Sequence, residues 1–458
     1  IMGEGWTPTP VGGLITDPVA SSIVGDDVSA EWRERMLTWR RFGDWLEAVE
    51  EQGVSPNVGS YLGGGTIRSY AKGMAMGPAG RDELDVMRRV THEAMEDGAF
   101  GVSYALIYPP DAYTDTAELV EVSKVAARHG GTYITHMRSE SVGIFEALDE
   151  AMTVGREAGL PVEIYHLKAA GPESWWRMPG VIDRIERART AGLDITADMY
   201  PYAGSGTGLT AILPTWTAAD GALYDNLATA AVRTRVREEL EAGQRTGAKQ
   251  GMGLEANGGP HGIMPLGFRL PEHQHYVGMR LDEIAESRGQ DWIEAVLDLL
   301  LAEKQRIGTI YFSMDEANLR LQVPLPWVKF SSDAGGFDPA WAKAEGPVHP
   351  RAYGTFPRVL RRYVREERLI TLEDAVRKMT SAVADRLGIP DRGLLRQGMK
   401  ADVVLFDAAA VTDHATFDEP HQLSTGVSHV WVNGELVIAG GTHTGALPGR
   451  FVKGPGAR

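Results

Sequence analysis

Apolar and polar positions run in blocks along this chain, and their period switches repeatedly between that of a helix and that of a strand. From Arg81 to Gly98, the apolar residues Leu84, Met87, Val90 and Met95 recur at helical spacing, with Gly98 as the stop. Gly101 to Ile107 follows as a strand and ends at Pro109-Pro110. Thr114 to His129 reads as a second helix, opened by a threonine cap and closed by Gly130-Gly131. A strand through Tyr133-Ile134-Thr135-His136 comes next, then a helix from Val142 to Gly159. The pattern continues with a strand through Glu163-Ile164-Tyr165-His166, a helix from Pro179 to Gly192 and a strand from Leu193 to Tyr200. Such alternation predicts a parallel sheet, and closure into a TIM-like (β/α) barrel is its commonest ending.

The rhythm breaks after Pro201. Residues 203–325 mix helical stretches with Gly-rich and aromatic loops, too long a passage for a simple connection, and are read as a lid-like insertion over the barrel mouth. Val328 to Ser332 resumes a strand, followed by helices at Tyr353 to Glu367 and Leu372 to Leu387. From Pro390 the pattern changes again. Ala401 to Phe406 and His429 to Glu435 read as short antiparallel strands, and Asn433-Gly434 is a hairpin signal. The predicted organisation is an α/β barrel over residues 1–389 and a small β unit over 390–458.

Composition narrows the function classes. The 458 residues suffice for a barrel of about 250 residues with insertions. The formal net charge of −16 disfavours nucleic acid and anionic membranes as partners. With no cysteine, any metal must be held by His, Asp, Glu or a modified Lys. No apolar run approaches the roughly 18 residues of a membrane span, so a cytoplasmic protein is expected. The chain opens with Ile1 rather than methionine and reads as cut into rather than begun.

Candidate chemistry centres on His136 and His166. They lie thirty residues apart, the length of one strand–helix–strand unit, so parallel strands bring both imidazoles to the same end of the sheet. Each stands two residues after an isoleucine, Ile134 and Ile164, expected to point inward. Singly, each would more often be a core histidine; together they suit one zinc ion. Lys168, two residues beyond His166, is expected on the same side of its strand. Asp333 follows Ser331-Ser332 at a strand end, where the plain alternative is a helix cap. His273-Gln274-His275 imitates a metal motif but falls in the insertion and is read as surface.

Several longer stretches carry a family resemblance. They are Leu106-Ile107-Tyr108-Pro109-Pro110, Thr135-His136-Met137-Arg138, His166-Leu167-Lys168, Asp198-Met199-Tyr200-Pro201-Tyr202, Ser331-Ser332-Asp333-Ala334 and His349 to Leu360. Gly398 to Val404 and Thr444 to Arg450 extend the match almost to the C-terminus. The chain resembles the D-aminoacylase (N-acyl-D-amino-acid deacylase) branch of the amidohydrolase superfamily. The resemblance implies a metal-dependent hydrolase barrel with a small β-sandwich and zinc-dependent cleavage of N-acyl-D-amino acids. It makes His136, His166 and Glu4 metal ligands, Glu4 standing where many relatives place a cysteine. It makes Asp333 the general acid/base, and Lys168, Tyr200, Arg351 and Ser205 binders of the substrate carboxylate. Arg138 is a looser candidate, as a pocket cation or a support to His136.

One departure is plain. The family's first-strand His-X-His pair is absent, for no histidine precedes His92. The barrel is therefore expected to lack its first strand, leaving a seven-strand arc, and a second metal site stays open. Either the chain is part of a longer polypeptide, or a copy of itself or another chain completes the barrel. Three rival readings remain: a dipeptidase releasing a C-terminal D-amino acid, an inactive or split-subunit relative, and a cyclic-amide hydrolase. The last is weak, because residues 101–107 hold no lysine to carboxylate.

Overall fold

A computed structural model describes residues 1–17, 29–246, 257–336 and 339–458. In chain order the strands are β1 (Leu62–Gly63), β2 (Gly101–Ala105), β3 (Thr132–His136), β4 (Val162–Ile164), β5 (Ile195–Met199), β6 (Ser205–Gly208) and β7 (Ile263–Pro265). Then follow β8 (Gly308–Tyr311), β9 (Val328–Phe330), β10 (Val403–Phe406), β11 (Val427–Val432), β12 (Glu435–Ala439) and β13 (Thr442–His443). Strands β1-β2-β3-β4-β5-β9 form one sheet, parallel throughout. Met2 makes an isolated parallel bridge to Ser60 just before β1.

Helices join these strands as the apolar spacing predicts. Arg81–Asp97 buries Met87, Val90, Ala94 and Met95 and ends where Gly98 turns left-handed at φ +111°. The next helix starts later than expected, at Thr116. Asp115, not Thr114, caps it, its carboxylate accepting from Glu118 N at 2.8 Å. The stretch from 351 to 366 is an α-helix (Arg351–Arg358) that continues as a π-helix (Val359–Glu366). Leu372 to Leu387 is two helices, broken at Thr380.

Strand register sets the faces. Ser103, Ile134, Glu163 and Thr196 stand in line across β2, β3, β4 and β5 and face inward. Glu163 pairs there with Lys329 at 3.0 Å and Arg386 at 3.0 Å, a buried charged floor. Ile134 therefore points inward as expected, but Ile164 does not. It falls in line with Thr135 and Ala197 and packs in the outer core.

The insertion forms its own antiparallel sheet, β6-β8-β7, with a separate apolar core that includes Leu209, Ile263, Leu297 and Tyr311. The C-terminal unit is the antiparallel sheet β10-β11-β12-β13. Its hairpin turns at Asn433 and Gly434, both at positive φ. The tail then returns to the barrel, with Phe451 bridging Val58. No helix among the described residues is long and apolar enough to cross a membrane.

Candidate metal centre

Glu4 reaches the centre on a tight turn. Gly3 and Gly5 flank it at φ +97° and +66°. A Cβ at Gly3 would stand 2.5 Å from Tyr61 O, and one at Gly5 2.5 Å from Ala105 Cβ, so both positions require glycine. Gly5 N also donates to Ser103 Oγ at 2.9 Å.

His136 ends β3 and faces inward after Ile134. His166 arrives differently. β4 stops at Ile164, and strand alternation would send His166 to the outer face. Instead, His166 takes φ +32°, a conformation non-glycine residues rarely adopt. Asp198 holds that turn, accepting from His166 N at 2.9 Å and from Ser331 Oγ at 2.6 Å. Sequence reasoning placed Asp198 only within a motif and gave it no task.

The three side chains converge. Glu4 Oε1 lies 3.1 Å from His136 Nδ1 and 3.0 Å from His166 Nε2. One ligand atom from each lies within 4.8 Å of the others, the one such group among the described residues. Burial works against the charge on Glu4, but His166 and His136 hold it well below the usual carboxylate range. Burial and Lys168 oppose a charge on His166, yet Glu4, Asp333 and Glu140 together push it up to about 10. Burial lowers His136. Two imidazoles and one carboxylate arranged around a demand for positive charge fit a zinc ion.

Asp333 also sits at positive φ, +48°. The next helix begins at Pro339, so Asp333 does not cap one. Its carboxylate lies 2.6 Å from an Arg351 terminal nitrogen. Burial, helped by Glu4 and opposed by Arg351, pushes Asp333 up to about 7.

These groups open into a cavity of about 1070 Å³, lined also by Lys168, Tyr200, Ser205 and Arg351 and by insertion residues such as Leu213 and Tyr224. Arg351 lies over the Tyr200 ring, 4.6 Å from its centroid, and donates to Gly206 O at 3.1 Å. Tyr200 OH and Arg351 Nε are buried donors with no hydrogen-bond partner among the described residues. Ser205 Oγ lies 3.4 Å from Ser313 Oγ.

Three expectations need correction. Lys168 lies beyond the end of β4 rather than on the strand; it lines the cavity, with its Nζ 2.7 Å from Glu140 and 2.7 Å from His166 Nδ1. Arg138 is no pocket cation. It turns to Glu150 at 3.0 Å and to the carbonyls of Ala112 and Thr114. His273 is buried against Glu303 at 2.7 Å, whereas His275 is exposed as expected. Glu140 was missed altogether. The available signal was that it is the one acid between the His136 strand and the next helix.

Histidines and a carboxylate at the C-terminal mouth of a parallel β/α barrel define a metal-dependent hydrolase. A family model described as "Amidohydrolase family" matches residues 334–438. The chain is 34% identical to a D-aminoacylase of Alcaligenes xylosoxydans xylosoxydans over 414 residues, 90% of this chain and 74% of the relative. The chain belongs to the D-aminoacylase family of N-acyl-D-amino-acid deacylases, within the amidohydrolases. A D-aminoacylase structure described for its binuclear metal centre superposes with a TM-score of 0.77 at 30% identity, covering 98% of this chain and 81% of the other. N-acyl-D-glutamate deacylase of Bordetella bronchiseptica, complexed with zinc and a phosphonate inhibitor, gives 0.75 at 28% identity, covering 98% and 81%.

Proposed function

We propose that this chain hydrolyses N-acyl-D-amino acids to a carboxylate and a free D-amino acid, with one zinc held by Glu4, His136 and His166. The observation that carries the reading is one shared cavity. It presents the three converging side chains, Asp333, and two buried donors without partners among the described residues, Tyr200 OH and Arg351 Nε. Zinc bound there would polarise the amide carbonyl and make water acidic enough to attack near neutral pH.

The protein's own groups do the rest. Asp333, raised to about 7, is poised to take a proton from the attacking water and return it to the leaving amine. Arg351 and Tyr200 offer their unused donors to the substrate carboxylate, which fixes the Cα and its acyl nitrogen. Ser205 stands at the same wall. Lys168 contributes whatever donor Glu140 and His166 leave free. Residues of the insertion line the same cavity. The D hand is inferred from what the relatives act on.

The test is hydrolysis by the zinc-loaded chain of N-acetyl-D-amino acids, their L enantiomers, and L-Xaa-D-Xaa dipeptides. Selective release of free D-amino acid from the acetylated D series is expected. Preference for the dipeptides would favour the dipeptidase reading, and no D-selective hydrolysis would refute both. Asp333→Asn is expected to reduce kcat by a hundredfold or more, in the range of general acid–base contributions, while zinc content stays unchanged. Full activity in that variant removes Asp333 from the mechanism.

A further inference from the structure

One histidine outside the metal centre joins the two elements that face the proposed carboxylate site. His349 stands two residues before Arg351, just ahead of the helix Arg351–Arg358. Arg351 N donates to its Nδ1 at 3.0 Å, and its Nε2 lies 2.8 Å from Gly204 O. Arg351 Nη2 donates to Gly206 O at 3.1 Å. Gly204 and Gly206 flank Ser205, so the two bonds hold the backbone on either side of that serine, across 145 residues of chain. The imidazole packs edge-on against Tyr200, Tyr202 and Phe417, with ring centroids 6.1, 5.5 and 5.1 Å away. A Cβ at Gly206 would stand 3.3 Å from His349 Cδ2 and 3.7 Å from Arg351 Nη2, so β6 passes close to both side chains.

These contacts assign the ring's proton. The Arg351 backbone N–H can only donate, so Nδ1 carries a lone pair. Gly204 O can only accept, so Nε2 carries the proton. The neutral Nε2–H ring satisfies both contacts and no other form does. Burial and the Arg351 guanidinium, opposed by the bond to Gly204, hold this imidazole well below its usual pKa.

We propose that His349 is a positioning residue for the substrate carboxylate. It ties the helix that carries Arg351 to the strand that carries Ser205, so that both groups meet one anion at a fixed separation. This inference rests on the reading of Arg351 and Ser205 as carboxylate binders. The plain alternative is a helix cap, because the bond from Arg351 N satisfies a donor that the first helical turn leaves without a partner. A cap needs only Nδ1, whereas the tie to β6 needs Nε2.

The two ring nitrogens can be replaced separately. Asparagine sets its amide oxygen near the place of Nδ1 and falls short of Gly204. Glutamine sets its amide nitrogen near the place of Nε2. The test is steady-state hydrolysis of an N-acetyl-D-amino acid by the full zinc-loaded chain, with zinc content and urea unfolding, for wild type, His349→Asn and His349→Gln. His349→Asn is expected to keep the zinc content and unfolding midpoint of wild type while KM rises about tenfold, the scale of a weakened hydrogen bond to a charged group, with kcat changed less. His349→Gln is expected to recover much of that KM. A wild-type KM in His349→Asn would overturn the proposal, reduce His349 to a cap and leave the carboxylate reading intact. A fall in kcat at unchanged KM would also overturn it, moving the effect to Asp333, which Arg351 contacts as well. Equal loss of midpoint and of KM in both variants would make the residue merely structural and overturn it too. Absence of hydrolysis by wild type would overturn the reading beneath it and the proposal together. A check independent of activity comes from ¹⁵N spectra of histidine-labelled wild type, with His349→Asn for assignment. A neutral ring protonated at Nε2 is expected; a proton at Nδ1 would refute the tie to Gly204.

Discussion

Tyr200 shows how a single residue can be read from what it lacks. Its hydroxyl is buried at the cavity wall without a partner among the described residues, beside the equally unsatisfied Arg351 Nε. A buried donor left unpaired is a cost that a bound anion would remove. Tyr200→Phe is therefore expected to leave stability unchanged or slightly raised. In the same variant KM for an N-acyl-D-amino acid should rise about tenfold or more, the worth of a hydrogen bond to a charged group, with kcat nearly constant. Steady-state kinetics alongside urea denaturation checks both halves. Asp333 stands just past a strand end, as its place after Ser331-Ser332 indicated, and its left-handed backbone away from any helix start removes the capping alternative. The partners of Lys168 and Arg138 were not legible, because Glu140 and Glu150 lie far from them in sequence or on another element.

At the level of elements, buried and exposed ion pairs behave differently. Arg68, on the helix Gly64–Ala71, meets Glu118, on the helix Thr116–Arg128, at 2.6 Å, and the two side chains are 1% and 3% exposed. Ala79 N donates to the same carboxylate at 3.1 Å. Removing one partner strands the other charge, so Glu118→Ala should cost about 3–5 kcal/mol, read as a lower denaturant midpoint. Glu367 lies nearer the surface, gripped by Arg320 at 2.8 Å and Arg362 at 2.8 Å. Hydrogen bonding to Arg320, then Arg362, lowers its pKa from 4.5 to about 2 against some burial. The folded-state value lies below the unfolded one. The stabilisation is therefore full above about pH 4.5 and is lost as pH falls through about 2. The stability advantage of wild type over Glu367→Gln should shrink steadily across that interval, followed by thermal melts at stepped pH.

Across the whole molecule, the centre draws on parts of the chain far apart in sequence. Glu4 lies 132 residues from His136 and 162 from His166. An ion bound by all three would link the N-terminal turn to two barrel strands in the folded state alone. Zinc at a hundred times its Kd should then stabilise the fold by about 2.7 kcal/mol, and a chelator should reverse this. His166→Ala is expected to abolish the zinc-dependent rise in melting temperature while the metal-free melt remains measurable. A zinc effect that survives in that variant would place the ion elsewhere.

The pattern of apolar positions by itself determined the succession of strands and helices, because a half-buried element must repeat its apolar residues at its own period. The thirty-residue spacing of the histidines determined that both reach one end of a parallel sheet. The hairpin at Asn433-Gly434 and the break into an insertion after Pro201 were equally local signals. Tertiary structure alone decided how His166 turns inward. Alternation assigns a face only while a strand lasts, and β4 ends at Ile164, after which Asp198 on the neighbouring strand holds the reversal. It also decided that Lys168 joins Glu140, since charges buried together choose partners by distance in space, which separation along the chain does not report.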